Sequence, residues 1–249
     1  MKVVVIGGTG LIGSKVVARL GAHGHTAVAA APNTGVDTIT GEGLADVLTG
    51  ADVVIDVSNS PSFADDDVLS FFRTSTSNLL EASAAAGVKH YVALSVVGTE
   101  KLQESGYFRA KLVQEQLIQK SGVPYSIVHA TQFFEFAKAM VAAATDGDVV
   151  RFAPVLFQPI ASDDVAAAVG RTSVGAPLNA TIEVAGPEQF RMDEFFRAGL
   201  SRLGDPREVL ADPEARYFGA LLEETTLVPG PDATLGELSY AKWKAAQES

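Results

Sequence analysis

The sequence has 249 residues, of which 47% are hydrophobic and 20% are charged, which is sufficient for one large α/β domain. Its formal net charge of −11 argues against a nucleic acid as partner, and the absence of cysteine excludes disulfides, thiolate catalysis and cysteine-ligated metals. The N-terminus lacks a signal-peptide pattern and no apolar run reaches the length of a membrane span, so we expect a cytoplasmic protein without membrane contact.

The predicted elements begin with a strand, a glycine turn and a helix. Residues 2–6 are mostly apolar and β-branched, which predicts a buried strand. Gly7, Gly10 and Gly13 follow at three-residue spacing, and residues 14–23 have the apolar spacing of a helix. Glycines let the backbone turn tightly and let a pyrophosphate approach the free N–H groups and the positive dipole end of the helix. The order therefore predicts a dinucleotide site, with a glycine-rich turn that binds nothing as the alternative.

Strands and helices continue to alternate up to residue 131. Further strands are predicted over 26–31, 52–57, 90–95 and 125–129, and helices over 42–48, 65–86 and 107–120. This alternation predicts an α/β fold, a Rossmann-type doubly wound parallel sheet with helices on both faces.

Past residue 131 the alternation is less regular. The sequence predicts helices over 133–144, 163–172 and 192–203, extended and loop structure over 149–160, a strand over 181–184, and a proline-rich tail with one short helix over 240–246. We expect a single NAD(P)-binding Rossmann domain over residues 1–249, in which residues from about 132 form a small C-terminal substrate lobe. Ligands of open α/β sheets lie beyond the carboxyl ends of the strands, where such a lobe would act as a lid.

The residues after the second predicted strand bear on the choice of nucleotide. An NAD site usually places an acid about twenty residues beyond the glycines, to bind the ribose hydroxyls. No acid and no arginine occurs from Ala30 up to Asp37, while Asn33 and Thr34 are able to donate hydrogen bonds to a 2′-phosphate. We therefore predict NADP(H) as the preferred cofactor and NAD(H) as the alternative, with FAD a weaker option.

A phenol and an ammonium group are predicted on one face of the helix after the fourth strand. Tyr107 and Lys111 are four residues apart, and a nearby cation should lower the pKa of a phenol from its ordinary value. Such a phenol suits a general acid that protonates a carbonyl oxygen, and Ser95 at the end of the fourth strand is placed to orient that oxygen. Tyr240 and Lys244 show the same spacing, but their place in the tail favours the first pair. The alternative for Ser95 is a cap at the strand end without a catalytic role, and the alternative for Lys111 is a solvated lysine on the helix surface.

The glycine segment 7–13, Ser95 and the segment 107–111 together resemble the short-chain dehydrogenase/reductase superfamily. Segments 98–100, 158–165 and 184–188 resemble its atypical branch, the NmrA-like or NAD(P)H-binding proteins. The resemblance implies a Rossmann fold that binds NADP(H), with Ser95, Tyr107 and Lys111 as the catalytic serine, tyrosine and lysine. One departure is Ala31–Pro32, where many NmrA-like proteins have an arginine.

The resemblance also places Ser58 and Asn59 beside the riboses and Thr131 to Phe133 at the nicotinamide end. The predicted cofactor-binding residues are Gly7, Thr9, Gly10, Leu11, Ile12, Asn33, Thr34, Ser58, Asn59, Lys111 and Thr131. The predicted substrate-binding residues are Gln132, Phe133 and Phe136. The four histidines have no ligand spacing, so no metal site is predicted.

Aromatic residues after the fifth strand indicate the substrate class. Phe133, Phe134 and Phe136 suit an ordinary core equally well, but any that line the pocket favour an apolar substrate. We predict an NADP(H)-dependent oxidoreductase, a monomer or homodimer, that reduces a small apolar carbonyl or a quinone. The alternatives are a non-catalytic NADP(H) sensor that binds another protein, and a nucleotide-sugar epimerase.

Overall fold

The computed structural model describes residues 1–247, and its central feature is a seven-stranded sheet in which all neighbouring strands are parallel. The described residues form twelve strands in all, seven in this sheet and five in two smaller ones. They are β1 (Lys2–Ile6), β2 (Thr26–Ala30), β3 (Val53–Asp56), β4 (His90–Val96), β5 (Tyr125–Ala130), β6 (Thr145–Asp146), β7 (Val149–Phe152), β8 (Leu156–Phe157), β9 (Thr181–Ala185), β10 (Phe190–Arg191), β11 (Glu208–Ala211) and β12 (Thr234–Leu235). The order of the seven strands across the central sheet is β12-β9-β5-β4-β3-β1-β2. The predicted Rossmann-type sheet is confirmed.

The helices are α1 (Leu11–Ala22), α2 (Leu44–Leu48), α3 (Asp65–Ala86), α4 (Gly106–Lys120), α5 (Ala137–Ala143), α6 (Ser162–Val174), α7 (Met192–Arg202) and α8 (Tyr240–Gln247). Helix α3 has the predicted bounds, whereas α1 begins at Leu11, three residues before the predicted start, because Gly10 is its N-cap. Among these described helices, none combines the length and the apolar character that crossing a lipid bilayer requires.

The sheet is buried on both faces, which explains why its inner strands are almost continuously apolar. Successive side chains of β1 point to opposite faces. Val3 and Val5 join the apolar cluster against α1 and α6, while Val4 and Ile6 join the cluster against α2, α3 and α4. Because these strands are parallel, β1, β3, β4 and β5 all end at the same edge of the sheet, its carboxyl edge.

The chain beyond residue 132 contributes to two regions. Strands β7, β6 and β11 form one small sheet, and β8 pairs with β10 in another. These strands, with α5 and α7, surround a separate apolar core that includes Phe134, Phe152, Phe157 and Phe196. In contrast, α6, β9 and β12 return to the central sheet.

The helix predicted over 133–144 is wrong in its first part. Phe133 pairs with Ile160 in a parallel bridge, and the N–H of Phe134 donates to the carbonyl of Ile160. These contacts hold the start of the segment in extended structure, so a short 3-10 turn, Phe134–Phe136, precedes α5.

The tail also departs from the prediction of loops with one helix. Strand β11 pairs with β7, and β12 extends the central sheet by pairing with β9 at Val184 and Ala185. A two-residue strand is too short to show an apolar alternation, so only the fold reveals it. The short terminal helix is present as α8.

Candidate cofactor and active site

Close backbone contacts shape the glycine turn between β1 and α1. Gly7 has a φ of +75°, in the left-handed region that favours glycine. A Cβ atom on Gly13 would collide with the carbonyl oxygen of Gly7. The fold itself therefore requires both of these glycines, whatever the turn binds.

Gly10 is different, because packing does not require a glycine at this position. It is exposed, its φ is −81°, and an added Cβ would approach the Gly7 carbonyl oxygen at 3.3 Å, a tight contact that a shift of a few tenths of an ångström would relieve. A side chain on Gly10 would stand at the N-cap position of α1. Its absence leaves that space open to a ligand.

The N-terminus of α1 is also suited to an anion. No side chain caps it and no acid lies in its first turn. By contrast, α3 begins with three aspartates and α6 with two acids in the first turn. Leu11 is exposed at the rim of the turn, while Ile12 is buried in the core. The free N–H groups and positive dipole end of α1 therefore fit a dinucleotide diphosphate.

The residues predicted to select the nucleotide lie beside this turn. Thr9 Oγ1 donates to Asn33 Oδ1 at 3.2 Å, which leaves both N–H donors of the Asn33 amide for a ligand. The Thr34 hydroxyl accepts from the N–H of Ala31 and donates to its carbonyl, both at 2.9 Å. Thr34 thus stabilises the 3-10 turn Pro32–Thr34, and Asn33 is the stronger candidate for a nucleotide contact.

Ser58 and Asn59 border the glycine turn from the end of β3. A Cβ on Gly7 would lie 3.0 Å from the Cα of Ser58, so the two segments are in direct contact. Ser58 Oγ donates to Asp56 Oδ1 at 2.6 Å, and Asn59 Oδ1 accepts from the N–H of Ser60. The segment thus borders the glycine turn, and the predicted ribose contacts of Ser58 and Asn59 stay a prediction.

Ser95 belongs to a buried polar network. Its Oγ donates to Glu115 Oε1 in a short hydrogen bond, and the same oxygen lies 2.9 Å from His129 Nε2. All three side chains are buried. The Ser95 hydroxyl is thus bound to Glu115 on α4, and no contact among the described residues joins it to Tyr107.

Lys111 is buried beneath α4 at 2% exposure. Its Nζ donates to the carbonyl of Leu94 at 2.9 Å and to Gln114 Oε1 in a shorter bond, and it lies 4.5 Å from the centroid of the Phe72 ring. Desolvation lowers the pKa of Lys111 to about 8, although the charges of Asp56 and Glu115 oppose this. The ammonium group is therefore held between α4 and β4.

Tyr107 lies in a group of aromatic rings. Its ring centroid is 5.7 Å from those of Phe63 and Phe218, and the rings of Phe72 and Phe108 meet it edge-on. Burial raises the pKa of Tyr107 to about 12. The predicted lowering by Lys111 is wrong for this structure, because the ammonium is bonded to Leu94 and Gln114. Tyr107 as a whole is half-buried, and its hydroxyl makes no hydrogen bond to any described residue.

Sequence reasoning missed the polar partners that surround Lys111. Gln114 Nε2 donates to Asp56 Oδ2 at 3.0 Å, and Asp56 also accepts from Ser58, so hydrogen bonds run from Lys111 to the segment beside the glycine turn. The spacing of polar residues along the predicted helix is the pattern that would have revealed these partners. Lys111, Gln114 and Glu115 recur at the inward positions of α4, where apolar residues are the norm.

The segment after β5 carries the remaining predicted residues. Thr131 and Gln132 are buried, and the Oγ1 of the first and both amide atoms of the second lack a hydrogen-bond partner among the described residues. Buried polar groups are normally paired, so these atoms are suited to a ligand or water. Phe133 and Phe136 stack with centroids 5.3 Å apart, and Phe136 is exposed.

An open cleft of about 420 Å³ lies beside the ends of β4 and β5. Its lining residues are Val97, Gly98, Thr99, Glu100, Lys101, His129, Glu183, Thr225, Val228, Pro229 and Gly230. None of the predicted site residues lines it. His129 connects it to the network of Glu115 and Ser95.

A family model described as NAD(P)H-binding matches residues 7–172, from the glycine turn to the end of α6. The chain belongs to this NAD(P)H-binding family. The assignment confirms the resemblance to the NmrA-like branch of the short-chain dehydrogenase/reductase superfamily. It agrees with the open Gly10 position and the uncapped α1, and it leaves the choice between NAD and NADP open.

Relatives of this NAD(P)H-binding protein include a Streptomyces griseus enzyme named (4-alkanoyl-5-oxo-2,5-dihydrofuran-3-yl)methyl phosphate reductase. It is 30% identical over 225 residues, which cover 82% of this chain and 74% of the relative. A solved triphenylmethane reductase from Citrobacter sp., complexed with NADP(H), has a TM-score of 0.73 and 17% identity, with 99% of both chains covered. A dTDP-glucose 4,6-dehydratase from Streptomyces venezuelae with NAD bound has a TM-score of 0.75 and 15% identity, covering 99% of this chain and 95% of the other. At 17% and 15% identity, the likeness to these two solved structures shows a shared fold.

Proposed function

We propose that this chain is an NADP(H)-dependent reductase of a small apolar carbonyl or quinone. The observation that carries the proposal is the place of Tyr107, whose ring lies among apolar rings and whose hydroxyl has no hydrogen-bond partner among the described residues. The relative from Streptomyces griseus is named as a reductase of a molecule with alkanoyl and oxo groups, which supports reduction as the reaction class.

The bound nicotinamide would supply a hydride to the substrate carbon. Tyr107 would donate its proton to the substrate oxygen, which would otherwise become an alkoxide. A phenol keeps its proton at neutral pH even at its ordinary pKa. Burial raises the pKa of Tyr107 further, to about 12, so the group is a proton donor at that pH, although a weaker acid than a free phenol.

In this proposal, Ser95 would have to give up a hydrogen bond that it makes in the structure, and Lys111 would have to give one up or act through it. Ser95 would have to exchange its hydrogen bond to Glu115 for the substrate oxygen. Lys111 would have to turn from Leu94 toward the nicotinamide ribose, or act through Gln114 and Asp56 on the adjoining segment. Tyr107 needs no such exchange, so it is the residue on which the proposal depends.

The preference for NADP(H) rests on the segment after β2. Asp37, the first acid there, accepts hydrogen bonds from the N–H groups of Ile39 and Thr40 in its own turn. A 2′-phosphate would therefore meet no carboxylate from Ala31 to Thr34, and the Asn33 amide has donors for it. NAD(H) remains the alternative cofactor.

A second candidate is a non-catalytic NADP(H) sensor. The observation that favours it is that the polar atoms of Ser95 and Lys111 are bound to Glu115, Leu94 and Gln114. Such an arrangement stabilises the fold and leaves a nucleotide site without a complete catalytic triad.

One experiment separates the two candidates. Purified protein is mixed with NADPH and a panel of naphthoquinones, aryl ketones and aliphatic aldehydes, and the loss of NADPH absorbance is followed. The reductase predicts steady oxidation that saturates with at least one substrate. Tight NADPH binding without oxidation across the panel would contradict the reductase and support the sensor.

A further inference from the structure

A tight turn of the tail lies against the ring of Tyr107. Tyr217 and Ala220 exchange two backbone hydrogen bonds, with N···O distances of 2.8 and 3.1 Å, so Phe218 and Gly219 form a two-residue hairpin turn. Both central residues have positive φ, 49° for Phe218 and 88° for Gly219. This is the geometry of a type I′ turn, which normally selects asparagine, aspartate or glycine.

Phe218 is an unusual occupant of its position. In residues 1–247, the only non-glycine residues with positive φ are Asn179 and Phe218. Asparagine tolerates this conformation, whereas a bulky aromatic residue is strained in it. Phe218 is also 48% exposed, so its ring is only partly covered by the fold. Strain at a half-exposed side chain is typical of a functional position.

Polar contacts hold the turn in place. Arg216 Nη1 donates to the carbonyl of Gly219 at 2.8 Å and pairs with Glu104 Oε2 at 2.6 Å. Glu104 lies just before α4, the helix that carries Tyr107. The turn is thus fixed to the segment that begins the candidate catalytic helix.

Phe63 packs against the rings of both Phe218 and Tyr107. It follows β3, is 53% exposed, and its ring centroid is 6.1 Å from that of Phe218. Both rings lie 5.7 Å from the Tyr107 ring. Two half-exposed aromatic rings from different parts of the chain therefore pack against one phenol and against each other, and we call Phe63 and Phe218 the aromatic pair.

We propose that the aromatic pair determines substrate specificity by packing against a planar aromatic ring, such as that of a quinone or an aryl ketone, whose oxygen meets the Tyr107 hydroxyl. The inference rests on the proposed reductase function and narrows its substrate class. Aromatic rings offer stacking and edge contacts but no charge and no strong hydrogen bond. The pair therefore favours a flat apolar ring over an aliphatic carbonyl of similar reactivity.

The test uses Phe218→Asn, because asparagine suits the turn and loses the ring. We expect its melting temperature to equal or exceed that of the wild type. Binding of menadione is measured by equilibrium dialysis with oxidised NADP present, so that no turnover occurs. The dissociation constant should rise about tenfold in Phe218→Asn, and by a smaller factor in Phe63→Leu. Catalytic efficiency with menadione should fall in parallel, and by a larger factor than efficiency with the aliphatic diketone diacetyl.

Leu203→Asn is the matched control, since Leu203 is 75% exposed and lies at the end of α7. It should leave menadione binding unchanged. Unchanged menadione binding in Phe218→Asn, or no menadione binding by the wild type, would overturn the inference. Wild-type menadione binding that is lost in Phe218→Asn, without any NADPH oxidation, would support the aromatic pair and contradict the reductase instead.

Discussion

Gly10 and Gly13 are one helical turn apart at the start of α1, yet they differ in why they are glycine. A Cβ on Gly13 would collide with the backbone of Gly7 at 2.2 Å, whereas a Cβ on Gly10 would need a shift of only a few tenths of an ångström from the Gly7 carbonyl oxygen. The fold therefore requires a glycine at position 13, whereas the glycine at position 10 fits a requirement of the ligand. This difference allows folding and nucleotide binding to be tested separately.

Gly10→Asp should leave the fold intact and abolish nucleotide binding. Aspartate is a favoured N-cap, and its charge interacts well with the helix dipole, so the melting temperature should stay the same or rise slightly. The same carboxylate would repel a diphosphate at the N-terminus of α1. Isothermal titration with NADPH should show at least about a hundredfold loss of affinity.

Gly13→Ala is the contrasting variant. Its Cβ cannot be accommodated without moving the turn, so the free energy of unfolding should fall by about 2 kcal/mol or more. Wild-type NADPH affinity in Gly10→Asp would show that the nucleotide lies elsewhere.

Asn33→Asp tests the choice of nucleotide. The aspartate can still accept the hydrogen bond from Thr9, so the local structure should persist. Its negative charge would oppose a 2′-phosphate and favour a free ribose diol. We expect the dissociation constant for NADPH to rise about tenfold while that for NADH is unchanged or falls.

The control for this change is Gln119→Glu, which adds the same charge at an exposed position of α4. It should alter neither affinity. Equal effects of Asn33→Asp on NADPH and NADH would contradict a 2′-phosphate contact at Asn33.

The sequence was most informative where local patterns determine structure. The strand, glycines and helix at the N-terminus follow from side-chain periodicity over a few residues. The bounds of α3 follow from the aspartates of its first turn and from Gly87 at its C-terminal end. The contacts of Ser95 and Lys111 do not follow from local patterns, because they depend on which buried polar atoms meet across α4 and the sheet. Glu115 lies twenty residues from Ser95, and only the packing of α4 on β4 brings their side chains together.

Lys111→Met should change how stability depends on pH. The pKa of Lys111 is lowered from 10.5 to about 8 by burial, so above pH 8 the unfolded chain binds the proton that the folded chain has lost. The wild-type free energy of unfolding should therefore rise between about pH 8 and 10.5, by up to about 3 kcal/mol relative to the variant. Urea unfolding across this range measures the difference. Parallel curves for the two proteins would contradict the lowered pKa.

Glu115→Leu should destabilise the fold. It leaves the Ser95 hydroxyl and the His129 ring buried without their shared acceptor, which costs about 2–4 kcal/mol. Glu115→Gln keeps an acceptor oxygen and should lose less. Urea unfolding of both variants is compared with Glu81→Leu, an exposed position on α3 where a change of about 0.5 kcal/mol is expected. An equal loss in Glu115→Leu and Glu81→Leu would remove this network from the structural account.

Tyr107→Phe tests the central claim most directly, because the hydroxyl has no partner among the described residues and the phenylalanine preserves the aromatic packing. With NADPH and the best substrate from the panel, we expect kcat to fall at least about a hundredfold while NADPH affinity and melting temperature stay unchanged. Tyr240→Phe, in the other tyrosine–lysine pair, should keep wild-type kcat. Full activity in Tyr107→Phe would contradict the proposal that this phenol delivers the proton.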